Sequence, residues 1–164
     1  GDMFNFFKKK EKEYDDVIVA PIKGEAVPSS EVGDPTFAEE MLGKGMAIKP
    51  AEGKVFAPFD GTVAMVFDTK HAVSLVSDNG AEVLIHVGLD TVMLKGEHYT
   101  VHVESGAAVK KGDLLLEFDM EAIQAAGYQV ITPVVVCNAD DYKDVIRTTG
   151  TQVVPGDVVM QLEK

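Results

Sequence analysis

The chain predicts an all-β fold, an antiparallel β-sandwich or barrel-like body with a few short helices. Three observations carry that prediction. Short runs rich in Val, Ile and Leu recur along the 164 residues. Proline and glycine punctuate them, at Pro21, Gly24, Pro50, Pro58, Gly61, Gly112, Pro155 and Gly156. And two short motifs each occur twice. Ala20-Pro21-Ile22-Lys23-Gly24 is echoed by Ala57-Pro58-Phe59-Asp60-Gly61, and Val109-Lys110-Lys111-Gly112-Asp113 by Val153-Val154-Pro155-Gly156-Asp157. A motif used twice, each time as a turn feeding an apolar run, suggests two related sheets closing over one core rather than two domains.

Residues 1–16 read as a flexible N-terminal arm, of which Gly1 and Asp2 look vector-derived, and residues 17–164 as a single domain. The arm runs Met3-Phe4-Asn5-Phe6-Phe7 into Lys8-Lys9-Lys10. A disordered tail is its first reading, and contact with an anionic membrane surface the second. From residue 17 the expected strands are 17–20, 45–48, 54–57, 62–66, 72–76, 82–87, 114–118, 132–137 and 158–162. Two segments read as helices: 120–126, stopped by Gly127, and 140–147, acidic at its start and ending on Arg147. A helical turn is expected over 36–42, before Gly43.

Composition excludes several classes of function. With 27 acidic against 15 basic residues the net charge is −12, so no basic surface exists to neutralise nucleic-acid phosphates. An acidic surface suits a basic protein partner instead. The single cysteine, Cys137, forms no internal disulfide framework and fits a reducing compartment. No apolar run has the length needed to span a bilayer, and the N-terminus lacks the apolar stretch of a secretory signal. The expected location is cytoplasmic, with peripheral membrane association as the arm's alternative.

Chemistry concentrates in Gly80–Thr91. His86 ends an apolar run, Val83-Leu84-Ile85, and Gly88 breaks the strand just after it. Upstream, Ser77-Asp78-Asn79-Gly80 carries the Asn-Gly pair of a tight hairpin turn. Counting outward from that turn sets His71 roughly opposite His86, so the two rings can meet on one face. Three readings of such a pair stand open: part of a metal site, acid–base or nucleophilic work, or two histidines satisfied by packing. Thr69, two residues before His71, would share its face on a strand and can fix its tautomer. Asp90 falls at the rim. His98 and His102 read as surface residues sharing one face of a polar hairpin, and Cys137 as a small buried hydrophobe.

The ordered set of motifs resembles a known family. Leu84-Ile85-His86-Val87-Gly88-Leu89-Asp90-Thr91-Val92, with Leu94 and Gly96, is similar to the active-site signature of the glucose-family enzyme IIA of the bacterial phosphoenolpyruvate-dependent sugar phosphotransferase system. Phe37-Ala38-Glu39, Gly45-Met46-Ala47-Ile48-Lys49-Pro50, Thr69-x-His71-Ala72, Glu117-Phe118-Asp119 and Thr132-Pro133-Val134-Val135 match in the same order. The resemblance runs from about residue 17 to the C-terminus. It implies a β-sandwich called a duplicated hybrid motif, and a phosphoryl carrier. His86 matches the histidine that takes the phosphoryl group from the carrier protein HPr and passes it to a cysteine of a IIB domain. His71 matches the second active-site histidine, which steadies the phosphate, and Thr69 its hydrogen-bond partner.

Phe37, Met41, Leu42, Phe67, Val73, Leu84 and Val92 match the family's apolar docking ring. Asp34 and Asp90 match the acidic residues that face arginines of HPr. Where the family often has an apolar pair before the phenylalanine, this chain has Pro35-Thr36. The resemblance requires no cofactor. A regulatory role is the main alternative, with permeases or kinases as phosphorylation-dependent targets and zinc bridging His71, His86 and a partner's carboxylate. Biotinyl and lipoyl carriers share the turns, but the modified lysine's context is missing. A zinc peptidase would need a His-x-His pair.

Overall fold

A computed structural model describes residues 14–164. The N-terminal arm, including the expectation of membrane contact, lies almost wholly outside the described residues. Sheet hydrogen bonding already includes residues before the expected boundary, because Asp15 N–H donates to Leu162 O (2.9 Å).

Among the described residues, fourteen strands and two short α-helices follow in order: β1 Asp16–Val19, β2 Gly24–Pro28, α1 Pro35–Ala38, β3 Lys44–Pro50, β4 Lys54–Phe56, β5 Gly61–Val66, β6 Ala72–Ser77, β7 Glu82–His86, β8 Tyr99–Val101, β9 Ala108–Val109, β10 Leu114–Phe118, α2 Met120–Ala125, β11 Thr132–Val136, β12 Asp144–Arg147, β13 Thr151–Val153 and β14 Val158–Glu163. Every strand pair is antiparallel. Eight strands form one sheet in the order β13-β2-β3-β11-β7-β6-β5-β9. Two three-stranded sheets, β1-β14-β12 and β4-β10-β8, complete the architecture.

Strand alternation divides the large sheet into two faces. Its inner residues, among them Met46, Ile48, Val73, Leu75, Val83, Ile85, Val134 and Val136, pack with Ile18, Leu115, Leu116, Met160 and Leu162 of the small sheets in one core. Its outer residues, Val27, Ala47, Ala72, Leu84 and Val135, join Val32, Phe37, Leu89 and Ile131 in a second, smaller cluster. Among the described residues, Phe37 of α1 and the loop residues Val32, Leu89 and Ile131 cover this outer face.

The sequence echoes are structural equivalents. Ala20 exchanges backbone hydrogen bonds with the Gly156-Asp157 turn, and Ala57 does the same with Gly112-Asp113. The aspartate of each turn caps it alike: Asp113 accepts from Lys110 N–H (2.8 Å), and Asp157 from Val154 N–H (2.9 Å). The two Ala-Pro turns also hold each other, through Val19 N–H to Pro58 O (3.0 Å) and Phe56 N–H to Pro21 O (2.8 Å). The duplicated motif is thus a quasi-symmetric pair closed at its turns.

Several expectations are corrected. The segment 140–147 is not a helix: Ala139–Asp141 forms one 3-10 turn, and Asp144–Arg147 is β12. Strand pairing wins over charge placement there, since Val145 enters the core opposite Leu162 while the adjacent Asp144 stays exposed. The turn after α1 is shorter than expected because Glu40 adopts a left-handed conformation, φ 55°. Strands β2, β8 and β13 escape the sequence reading because Gly, Pro or polar residues dilute their apolar signal, and β9 because it is only two residues long. His98 and His102 do not share a strand face. His98 sits in a turn at φ 76°, and His102, beyond the end of β8, pairs with Glu117 at 2.8 Å. Cys137 is exposed, one residue past the end of β11.

Candidate active site

The site lies on the outer face of the large sheet, at the β6–β7 hairpin. Val83 and Ile85 point inward, so Leu84 and His86 point out. The register places Ala72, not His71, opposite His86, one residue from the expected pairing. The cause is the connection. Ser77 and Ala81 close it through Ser77 N–H to Ala81 O (2.8 Å), leaving three residues, 78–80, in the loop, with Gly80 at φ 102°.

The rings nevertheless meet, with centroids 4.7 Å apart and planes at 84°. His71 precedes β6 in a bend, so pleat alternation does not govern it. Lys70, at φ 62°, turns the chain, and His71 O accepts from Val87 N–H (2.7 Å), bringing the two backbones together. Thr69 Oγ1 lies 2.8 Å from His71 Nδ1. The expected contact therefore forms, through a turn rather than along a strand.

Hydrogen bonding defines the nitrogens. His86 Nδ1 is 2.7 Å from Gly88 O, and because a carbonyl only accepts, Nδ1 carries the hydrogen. Neutral His86 therefore keeps its lone pair on Nε2. Burial holds its pKa below the usual 6.5, against upward pulls from the Gly88 hydrogen bond and from Asp34 and Asp90. Burial lowers His71 more, to about 4, helped by the neighbouring His86 and opposed by hydrogen bonding at Thr69. Only 3% of His71 is exposed, whereas His86 is partly open. Both imidazoles are neutral near pH 7.

Apolar side chains wall the pair. The Phe37 ring lies 5.0 Å from His86, and Phe67 makes an edge contact with His71 at 5.6 Å. Phe37 is carried by α1, whose N-terminus is capped by Asp34 accepting from Thr36 N–H (2.9 Å), with Pro35 at the first helical position. That local chemistry accounts for Pro35-Thr36. Met41, Leu42 and Val92 are exposed, with Met41 at 70%, and Leu84 lies in the outer cluster. Val73 is the exception among the expected docking residues: fully buried opposite Ile85 on the inner face, it presents nothing to a partner. Met93, which the sequence reading passed over, is 64% exposed beside Val92.

Asp34 and Asp90 line an open cleft of about 450 Å³ with Gly33, Pro35, Leu89, Gly127, Tyr128 and Gln129. Sequence reasoning also missed the Gly88 carbonyl, since no side-chain pattern announces a backbone acceptor. No group of three His, Cys, Asp or Glu gathers into a metal site among the described residues. A zinc ion on the pair would therefore need ligands from outside them.

The family model of the phosphoenolpyruvate-dependent sugar phosphotransferase system, EIIA 1, matches residues 16–142. The chain is 47% identical over 154 residues to the PTS system glucose-specific EIIA component of Oceanobacillus iheyensis, covering 93% of each. It is 53% identical over 131 residues to the PTS system beta-glucoside-specific EIIBCA component of Dickeya chrysanthemi, covering 80% of this chain but 21% of that longer protein. Among solved structures it is similar to glucose permease IIA from Mycoplasma capricolum, with a TM-score of 0.81, 33% identity, and coverage of 88% of this chain and 93% of that one.

Proposed function

Because the chain belongs to the EIIA 1 family of the phosphoenolpyruvate-dependent sugar phosphotransferase system, as a glucose-type EIIA phosphoryl carrier, we propose that His86 is its phosphoryl acceptor, His71 its phosphate stabiliser and Thr69 the residue that orients His71. The observation that carries this reading is the hydrogen bond from His86 Nδ1 to Gly88 O, which leaves a lone pair on Nε2. The donor is the phosphohistidine of HPr and the acceptor a cysteine of a IIB domain, and the exchange takes place in the cytoplasm.

Phosphoryl transfer needs in-line placement and stabilisation of charge on the equatorial oxygens, with little covalent work for the protein. Nε2 of His86 attacks phosphorus as the donor's N–P bond breaks, and the donor imidazole departs with that electron pair. The phosphorylated ring becomes cationic, and Nδ1–H donating to Gly88 O spreads that charge. With the Thr69 hydroxyl donating to Nδ1 of His71, the hydrogen of that neutral ring sits on Nε2–H, free to donate to a phosphate oxygen. A neutral donor holds the phosphate less tightly than a lysine would, which suits a carrier that must release its group. The second step reverses the first: the IIB thiolate attacks phosphorus and His86 leaves as neutral imidazole. Phe37, Met41, Leu42, Phe67, Leu84 and Val92 supply the apolar surface on which either partner docks and excludes water. Asp34 and Asp90 face its basic groups.

Intact mass after incubation with phosphoenolpyruvate, enzyme I and HPr tests the assignment. The expected result is one acid-labile phosphate on the parent and none on His86→Ala. A phosphorylated His86→Ala protein would overturn it.

A further inference from the structure

We propose that Thr91 and Tyr99 are positioning residues for His86, acting through the Val87–Gly88 peptide so that the Gly88 carbonyl faces Nδ1. This rests on the reading of His86 as the phosphoryl acceptor and extends it to two hydroxyls that touch no reacting atom.

The strand ladder ends at His86, so the next carbonyl, Val87 O, needs other partners. It has two. Thr91 Oγ1 donates to it at 2.7 Å and Tyr99 Oη at 2.8 Å, filling both lone pairs of one buried oxygen. Neither donor is open to water: Thr91 is fully buried and Tyr99 nearly so. The N–H of the same peptide, on Gly88, donates to Ile131 O (3.1 Å), and the next N–H, on Leu89, donates to Gln129 O (3.1 Å). Gly88 is thereby gripped on both sides at φ 89°, a conformation that suits glycine. A Cβ there would meet Thr91 Cγ2 at 2.5 Å and Gln129 O at 2.8 Å. Among these groups only the Gly88 carbonyl is left to meet the histidine.

The two hydroxyls connect the site to different parts of the fold. Thr91 opens the 3-10 turn Thr91–Leu94, which carries the exposed Val92 and Met93. Tyr99 begins β8 and its ring stacks on Phe118 at 6.4 Å inside the main core. Burial raises the phenol to about 12, so the hydroxyl stays a donor across the working pH range. Tyr99 therefore references the position of the carbonyl to the rigid core, and Thr91 references it to the loop a partner touches.

The test is histidine ¹⁵N NMR at pH 7 with single-turnover phosphorylation by phospho-HPr, on the parent, Thr91→Val, Thr91→Ser, Tyr99→Phe and the Val/Phe double variant. The parent should show His86 as the Nδ1–H tautomer. Each hydroxyl deletion should add the Nε2–H form and slow phosphorylation about three- to tenfold, with the double variant slower than either single, as losing a buried hydrogen bond implies. Thr91→Ser, which keeps the hydroxyl, should keep the parent's tautomer and rate. Single variants whose tautomer stays that of the parent would overturn the proposal whether or not the rate falls, because a rate loss alone is what a structural defect gives. Phosphate found on another residue of the parent would instead strike the acceptor assignment, and the tautomer measurement would still stand.

Discussion

The two walls of the site present the same side chain in opposite ways. On the β7 wall, His86 is part of the sheet, partly open, and tied by a backbone carbonyl that only accepts. On the facing wall, His71 comes from a bend before β6, is almost wholly buried, and is tied by a hydroxyl that can give or take a hydrogen. The difference teaches how one ring type can serve two roles. A carbonyl partner leaves the neutral ring a free lone pair on Nε2, as the proposed nucleophile requires. A hydroxyl partner allows a free N–H on Nε2, as the proposed donor requires.

The sharpest way to break the comparison is to remove one wall at a time. His86→Ala should take phosphate incorporation to zero while the fold persists, read by intact mass beside a thermal melt. His71→Gln should still accept phosphate but pass it to a IIB domain about 10²-fold more slowly, the scale of losing one well-placed donor. Single-turnover transfer to IIB checks this, and the parent's rate in that variant would remove His71 from the mechanism.

Acid should separate the walls next. The folded His71 titrates at about 4 against 6.5 for a free histidine, so between those values the unfolded chain binds a proton that the native state does not. Stability should therefore fall as pH drops from 6.5 towards 4, by on the order of 3 kcal/mol from this group. The lowered pKa of His86 adds to the fall with the same sign. Urea unfolding across that window should show a shallower slope for His71→Gln. Smaller still is Thr69→Val, which leaves the His71 ring in place but removes its orienting hydroxyl. Transfer should slow about fivefold, the value of one hydrogen bond. The mildest change is expected from Met41→Ser, on a side chain already 70% exposed. It should raise the KM for a partner a few-fold and leave the melting temperature unchanged.

Much of this was legible in the residues. Alternating apolar runs and repeated turns revealed an antiparallel sandwich, and the echoed Ala-Pro and Gly-Asp motifs revealed its quasi-symmetry. What escaped did so for local physical reasons. Counting outward from Ser77–Gly80 pairs 71 with 86, but closure between Ser77 and Ala81 leaves three residues in the loop and moves the partner of His86 to Ala72. The acidic-to-basic gradient of 140–147 mimics a helix, but Val145 and Ile146 are β-branched and the core accepts the first through a strand. Val73 shares the sequence neighbourhood of the site, yet parity puts it on the opposite face from Ala72. The Gly88 carbonyl carries no side-chain signature at all, and the tautomer of His86 depends on it.

The most direct measurement is the ¹⁵N–³¹P coupling in the phosphorylated protein, labelled at its histidines. The account predicts coupling to Nε2 of His86 with Nδ1 still protonated. Coupling to Nδ1 of His86, or to either nitrogen of His71, would contradict it.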